Sequence, residues 1–337
     1  MNSIPQVTVL MPAYNAAAYL GEAVASILAQ DFTDFELLII DDGSTDATPA
    51  LADSLAKSDP RIRVTHQSNR GLIATLNDNL HQVRGAYLAR MDADDISLPG
   101  RLGKQMAYLA AHPKVAGVGS SYETFGGEQK VWSLPAEPRF VRAAMLFRSA
   151  VSHGAVMLRT SLFQHESLRY DPAFPHAEDY HLWAQILAHH DLANLPDVLL
   201  RVRWHPEQVS QRHAAQQQAS AARVRRLLLE RLGVAPSEEE AALHETLATD
   251  RFDPAPTSDF VTAADLWLTR IYDANAARCH YDSLALGKIL SARWAALCLA
   301  AEPTIRDIWP RFHASPLAPF VNRAEEKFRR IPPPGRY

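Results

Sequence analysis

Through its first 120 residues the chain alternates between two hydrophobic periods. Short apolar runs occupy 7–11, 36–40, 61–65 and 87–91, and Pro12 stops the first. Runs of this length suit strands buried on both faces. Between them lie stretches of helical spacing. Leu20, Val24, Ile27 and Leu28 mark 17–29, residues 48–57 follow the second run, and Leu72, Leu76, Leu80 and Val83 line one face of 72–83. Pro99 stands where another helix begins, and 101–111 continue it. Strands separated by helices of this length predict an α/β fold, a mostly parallel sheet with helices on both faces.

From Val115 to His205 the rhythm is less regular. Residues 131–134 and 155–159 read as strands, 139–147 and 179–190 as helices, and 198–204 alternate like an edge strand. Beyond about His213 only helical patterns occur, at 223–232, 238–247, 262–277 and 284–300, before a Pro-rich end at Pro332, Pro333 and Pro334. The expected organisation is a sheet domain over 1–212, with parts at about 1–120 and 121–212, and a helical region over 213–337.

Composition excludes several classes. At 337 residues the chain can bury a core without disulfides, and its two cysteines, Cys279 and Cys298, cannot form a disulfide framework. A formal charge of -4 gives no global basic field for nucleic acid. No Lys or Arg precedes the first apolar run, unlike a secretory leader. Residues 286–301 are interrupted by Lys288 and Arg293 and read as a buried helix. A cytoplasmic protein is expected.

In open parallel sheets ligands bind beyond the carboxyl ends of the strands. Three polar clusters follow such ends: Pro12-Ala13-Tyr14-Asn15, Asp41-Asp42-Gly43-Ser44 and Asp92-Ala93-Asp94-Asp95. None is a glycine-rich phosphate loop. If the strand ending at Met91 stayed extended, Asp92 and Asp94 would project to one side. Two such carboxylates repel unless a cation lies between them, and a hard divalent ion is the simple answer. The alternative is a pair of solvated loop acids.

The ordered set of these segments resembles glycosyltransferase family 2. It runs from Val7 to Asn15, through Glu36 to Asp46, Asn69-Arg70-Gly71 and Arg90 to Asp95, to Ala177-Glu178-Asp179-Tyr180-His181-Leu182-Trp183. The resemblance covers about residues 5–212. It implies the GT-A fold, a Rossmann-like nucleotide-binding sheet joined to an acceptor-binding part, and transfer with inversion. A nucleotide diphosphate sugar, most often UDP-linked, would be the donor, with Mn2+ or Mg2+ as cofactor. By matching motif, Pro12, Ala13, Tyr14 and Asn15 would line the nucleotide, Asp42 would bond the base and Arg70 would lie near it. Asp92 would approach the ribose or the metal's water shell, and Asp94 would ligate the metal. Asp179 would be the general base, supported by Glu178. His153 would meet acceptor or diphosphate, and His205 would be a third metal ligand.

These roles make chemical sense. Loss of a nucleoside diphosphate builds charge on phosphate, and an alcohol acceptor needs a carboxylate to take its proton. Inversion places that base on the opposite sugar face, so it must come from a segment other than the metal-binding one. Asp179 also fits a helix start favoured by the dipole. The processive Q-x-x-R-W signature is not evident, which favours transfer of one sugar to a glycan or lipid-linked acceptor. A sugar nucleotidyltransferase or a non-catalytic scaffold of the same fold are the competing readings. Arg201 and Arg203 read as solvated charges. Arg223, Arg225, Arg226 and Arg231 punctuate an amphipathic stretch that would pack its leucines and solvate its arginines. Peripheral contact at the inner membrane face is its other reading.

Overall fold

The computed structural model describes residues 4–204, 213–322, 324, 326–331 and 333. The chain divides into two compact units, Met1–Val141 with Ser149–Ala221, and Arg142–Arg148 with Ala222–Tyr337.

The first unit opens with β1 (Val7–Ala13), α1 (Leu20–Leu28), β2 (Phe35–Asp42), α2 (Thr48–Ser58), β3 (Ile62–Gln67), α3 (Leu72–Asn79) and β4 (Tyr87–Arg90). It continues through β5 (Ile96–Ser97), α4 (Arg101–Ala111), β6 (Val115–Phe125), β7 (Val131–Trp132) and α5 (Pro138–Ala144). Then come β8 (Met157–Arg159), α6 (Ser161–Gln164), α7 (Glu178–Ile186) and β9 (Asp191–Arg203). The strands form one sheet in the order β3-β2-β1-β4-β8-β6-β9-β5, with β7 beside β6. The first four are parallel, as the alternation predicts. β8 enters antiparallel between β4 and β6, so the sheet is mixed.

Every residue of β2 is buried, which is why residues 37–40 at its centre form a continuous apolar run rather than an alternating one. Leu20, Val24 and Ile27 of α1 join Val9, Met11, Leu37 and Ile39 in one core. Each such side chain contributes about 1.5–3 kcal/mol through removal from water.

Two segments depart from the sequence pattern. Residues 115–125 carry no strand signal, because Gly117, Gly119, Ser120 and Ser121 are weak strand formers. Packing demands the glycines: a Cβ on Gly117 would stand 2.4 Å from Leu158 Cδ2, and one on Gly119 2.3 Å from Asn194 Oδ1. Residues 198–203, expected at an edge, instead form half of β9 and pair with β6 in parallel and with β5 antiparallel. Their alternating charges are ion-paired, Arg201 with Glu123 and Arg203 with Glu22, so charge here does not mark solvent.

The second unit holds α8 from Ala222 onward (the helix spans Ala214–Arg231), then α9 (Glu238–Thr249), α10 (Ser258–Arg278), α11 (Ser283–Ala301) and α12 (Ile308–Ala314). Ser237 and Glu240 close a capping box on α9, and Thr257 and Asp282 cap α10 and α11. α11 is the one described helix long and apolar enough to span a membrane, but 61% of its apolar window is buried against the rest of the protein. In α8, Val224, Leu228 and Leu229 are buried while Arg223, Arg226 and Arg231 are exposed, as amphipathic spacing predicts. Arg225 is the exception: it is buried, pairs with Glu245 and donates to the Phe147 carbonyl.

His244 is a buried titratable group of this unit. Nε2 lies 2.8 Å from the Leu146 carbonyl, and Nδ1 accepts from Trp267 Nε1 at 3.2 Å, so the ring is neutral with its proton on Nε2. Burial pushes it down to about 4. An unfolded histidine protonates near 6.5, so this stabilisation is complete above that pH and is lost as pH falls toward 4. Over that window wild type should lose about 3 kcal/mol more than His244→Gln, read from urea unfolding at pH 7.5 and 4.5.

Candidate active site

The first cluster forms where β1, β2 and β3 end. Pro12 and Ala13 close β1 beside Ile40 and Asp41 of β2. Tyr14 is 52% exposed at the lip. Asn15 adopts the left-handed conformation at φ 49°. Its amide donates to Ser44 Oγ at 2.9 Å, and its side-chain oxygen accepts from the Thr45 amide at 2.8 Å. The Ala16 amide bonds Thr48 Oγ1 at 2.8 Å, and the Ala17 amide bonds Asp46 at 3.2 Å. The loops after β1 and β2 are thus stitched together.

Asp42 fixes the third loop. One carboxylate oxygen accepts from Gln67 Nε2 at 2.8 Å and the Arg70 amide at 3.0 Å; the other accepts from the Gly71 amide at 2.9 Å. Gly43, at φ 72°, lies so close to this loop that a Cβ would come 2.5 Å from the Asn69 nitrogen. Arg70 directs its guanidinium to Asp78 and is bound to Asp42 through its backbone.

The second cluster follows β4. The strand ends at Arg90 and a turn takes over at Ala93 and Asp94, so the extended spacing that would align Asp92 with Asp94 does not persist. Asp95 joins Asp92 instead: a Cβ on Gly154 would lie 3.2 Å from Oδ2 of each. Asp95 is buried and accepts the Arg203 amide at 2.9 Å. Burial, then the charges of Asp92 and Asp94, push its carboxyl well above the usual range. Asp94 is half-buried, and its carbonyl accepts from Arg203 Nε at 2.9 Å. Arg203 is therefore built into the acidic loop rather than solvated, with its guanidinium also over the Tyr19 and Phe125 rings.

Arg90 connects this loop to α7. It is 2% exposed and pairs with Asp92, while its Nε has no hydrogen-bond partner. Burial opposes its charge, but Asp92 together with Tyr170 and Asp95 outweighs that and raises its affinity for the proton. Glu178 and Asp179 form the first turn of α7. Glu178 is buried, with Oε2 unpartnered. Burial and then Asp179 raise it to about 7. Asp179 is partly exposed and accepts the Tyr180 amide at 2.7 Å. Burial raises it to about 6, against the Tyr180 bond and the Arg90 charge. His153 shares a 3.0 Å hydrogen bond with the Tyr170 hydroxyl, and burial followed by the Arg90 cation hold it well below the usual histidine range.

β1 lies between β2 and β4, so both clusters open along one edge of the sheet. The structure brings Pro12, Ala13, Tyr14, Asn15, Asp42 and the Arg70 backbone into one group, and Asp92, His153, Glu178 and Asp179 around Arg90. His205 lies outside the described residues. Sequence reasoning overlooked Arg90, Asp95 and Tyr170. A charge inside the apolar run 87–91 was the readable sign of the first, and Tyr170 carries none.

The family model described as Glycosyl transferase family 2 matches residues 8–165. An uncharacterised glycosyltransferase of Haemophilus influenzae is 32% identical over 238 residues, 67% of this chain and 74% of that protein. The chain belongs to glycosyltransferase family 2. The amylovoran biosynthesis glycosyltransferase AmsE of Erwinia amylovora is 30% identical over 217 residues, 61% of this enzyme and 79% of AmsE. Among solved structures, S. aureus TarS in complex with UDP-GlcNAc superposes with a TM-score of 0.57 at 19% identity, over 92% of each chain. A Pyrobaculum calidifontis mannosyltransferase in complex with GDP-Man and Mn2+ gives 0.55 at 19% identity, over 95% of this chain and 86% of that one. These two share the GT-A fold with the present glycosyltransferase.

Asp42 offers a direct test of the loop geometry. Asp42→Asn keeps an oxygen for Gln67 and Arg70 but turns an amide group toward the Gly71 N–H. The variant should unfold with a loss of about 1–3 kcal/mol, measured by urea denaturation.

Proposed function

We propose that this glycosyltransferase transfers one sugar, with inversion, from a nucleoside diphosphate sugar to a hydroxyl of a glycan or lipid-linked acceptor. UDP is the favoured nucleotide and a surface polysaccharide the favoured product. The name of AmsE and the UDP-GlcNAc bound to TarS support this reading. GDP-Man in the mannosyltransferase supports the donor class more than the base.

The observation that carries the proposal is the Glu178–Asp179 pair, raised into the range of a working base and facing Asp92 across the Arg90 guanidinium. Residues 1–120 would bind the nucleotide, 121–212 the acceptor, and 213–337 would be a helical appendage. Pro12, Ala13, Tyr14 and Asn15 would hold base and ribose, Asp42 the base through its remaining acceptor capacity, and Arg70 its margin. Asp92 would meet the ribose. Asp179 would take the acceptor proton while Glu178 holds the acceptor, and His153, kept neutral, would contact acceptor or diphosphate.

Among the described residues no three His, Cys, Asp or Glu side chains cluster as a ready-made metal site. Mg2+ and Mn2+ commonly take only one or two carboxylates and complete their shells with water and substrate phosphates. The convergence of Asp92 and Asp95 beside Gly154, with Asp94 in the same turn, fits such a half-built site. Asp94 would hold the ion, with His205 as a further ligand. When bound, the metal would neutralise charge on the departing diphosphate.

A base must be deprotonated to act, so kcat/KM should fall as pH drops through about 7 to 6, rather than near 4 as for an ordinary aspartate. Asp179→Asn should lower kcat by about a hundredfold or more while UDP binding, measured by calorimetry with Mn2+, stays within about twofold. Unchanged turnover in this variant would favour a different base, and no turnover in wild type with any nucleotide sugar would favour a scaffold.

A further inference from the structure

His66, on β3, contacts two carboxylates at once. Nδ1 lies 2.9 Å from Asp41 Oδ2, and Nε2 lies 3.1 Å from Asp53 Oδ1. A neutral imidazole has one N–H and one lone pair, so one of these contacts would set a lone pair against a carboxylate oxygen. Only imidazolium donates to both. β3 is the edge strand of the sheet, with β2 beside it and α2 packed on it. β2 presents Asp41 and α2 presents Asp53; on the opposite side of β3, Arg63 and Thr65 turn to Gln82.

Asp41 is buried, whereas the side chains of His66 and Asp53 are 41% and 56% exposed. Its other oxygen accepts the Ser44 amide at 3.1 Å. Ser44 in turn receives the Asn15 amide, and the next residue, Asp42, anchors 70–71. The root of the stitched loops is therefore a buried carboxylate, and among the described residues its one cationic partner is His66.

We propose that His66, as an imidazolium clamped between Asp41 and Asp53, is a positioning residue that holds the nucleotide-binding loops in register and makes nucleotide affinity depend on its charge. The inference rests on the donor reading given above. The two carboxylate bonds raise the affinity of His66 for its proton. The clamp is therefore complete below an ordinary histidine's titration range and opens as pH rises through the raised value.

The test is calorimetric titration of UDP with Mg2+ from pH 6.5 to 9 into wild type, His66→Gln and Asp53→Asn, with thermal unfolding of each. His66→Gln carries the pH dependence of the ligand and of the rest of the site. Relative to it, wild-type affinity should fall about three- to tenfold across the range, and Asp53→Asn should bring that fall to lower pH. Nitrogen-15 spectra of the His66 ring should show both nitrogens protonated at pH 6.5, the low end of the range. Wild type running parallel to His66→Gln, or a neutral ring at pH 6.5, overturns the inference and leaves the donor reading intact. A wild type that binds no UDP at any pH overturns both.

Discussion

Negative charge sets the terms of this structure. Asp92, Asp94 and Asp95 leave one strand, and Glu178 and Asp179 begin a helix that faces them. Like charges about 4 Å apart repel by about 4 kcal/mol near a protein surface and by more inside. Such a group survives folding because cations are built in with it. Arg90 stands in the strand, Arg203 arrives from β9 and Arg101 lies beneath. Arg101 donates from Nη2 to the Arg90 carbonyl at 2.7 Å. Gln105, one turn further along α4, donates to the Val118 and Ala155 carbonyls at 2.9 and 2.7 Å. The charge balance and the packing of α4 on β4, β6 and the turn at His153 are one network.

Much of the first 120 residues was legible because local pattern and global role coincide there. A buried strand is mostly apolar, and its end turns polar where it leaves the core. The motifs at Asn15, Asp42 and Asp94 are these transitions. Residues 115–203 were harder to read. β6 is built from glycine and serine because neighbouring side chains fill the space above it, and that demand is set by Leu158 and Asn194, far away in sequence. β9 carries exposed-looking arginines whose partners, Glu123 and Glu22, come from elsewhere in the chain. Sequence periodicity reports burial, and an ion pair across the sheet hides burial from it.

The same limit explains the site residues that were missed. Extended spacing paired Asp92 with Asp94, yet the turn after Arg90 makes Asp95 the buried carboxylate beside Asp92. Tyr170 follows an irregular stretch, and only its mutual backbone–side-chain bonds with Asn77, at 2.8 and 3.0 Å, place its ring against His153. Arg225, in the second unit, shows the converse: amphipathic spacing assigns it to solvent, but Glu245 and the Phe147 carbonyl give its guanidinium an interior home.

The stitching of the loops at 13–17, 41–48 and 67–71 has a thermodynamic consequence. The backbone donors of Asn15, Ala16, Ala17, Ser44, Thr45, Thr48, Arg70 and Gly71 are satisfied within the protein, so much of the ordering of these loops is completed during folding rather than at ligand arrival. If a nucleotide binds here as proposed, it would bury its own surface and little else. The heat capacity change of association should then scale with the area of the base and ribose, free of the larger contribution that accompanies coupled folding. Encounter would be limited by orientation of the ligand, not by waiting for the receptor to close.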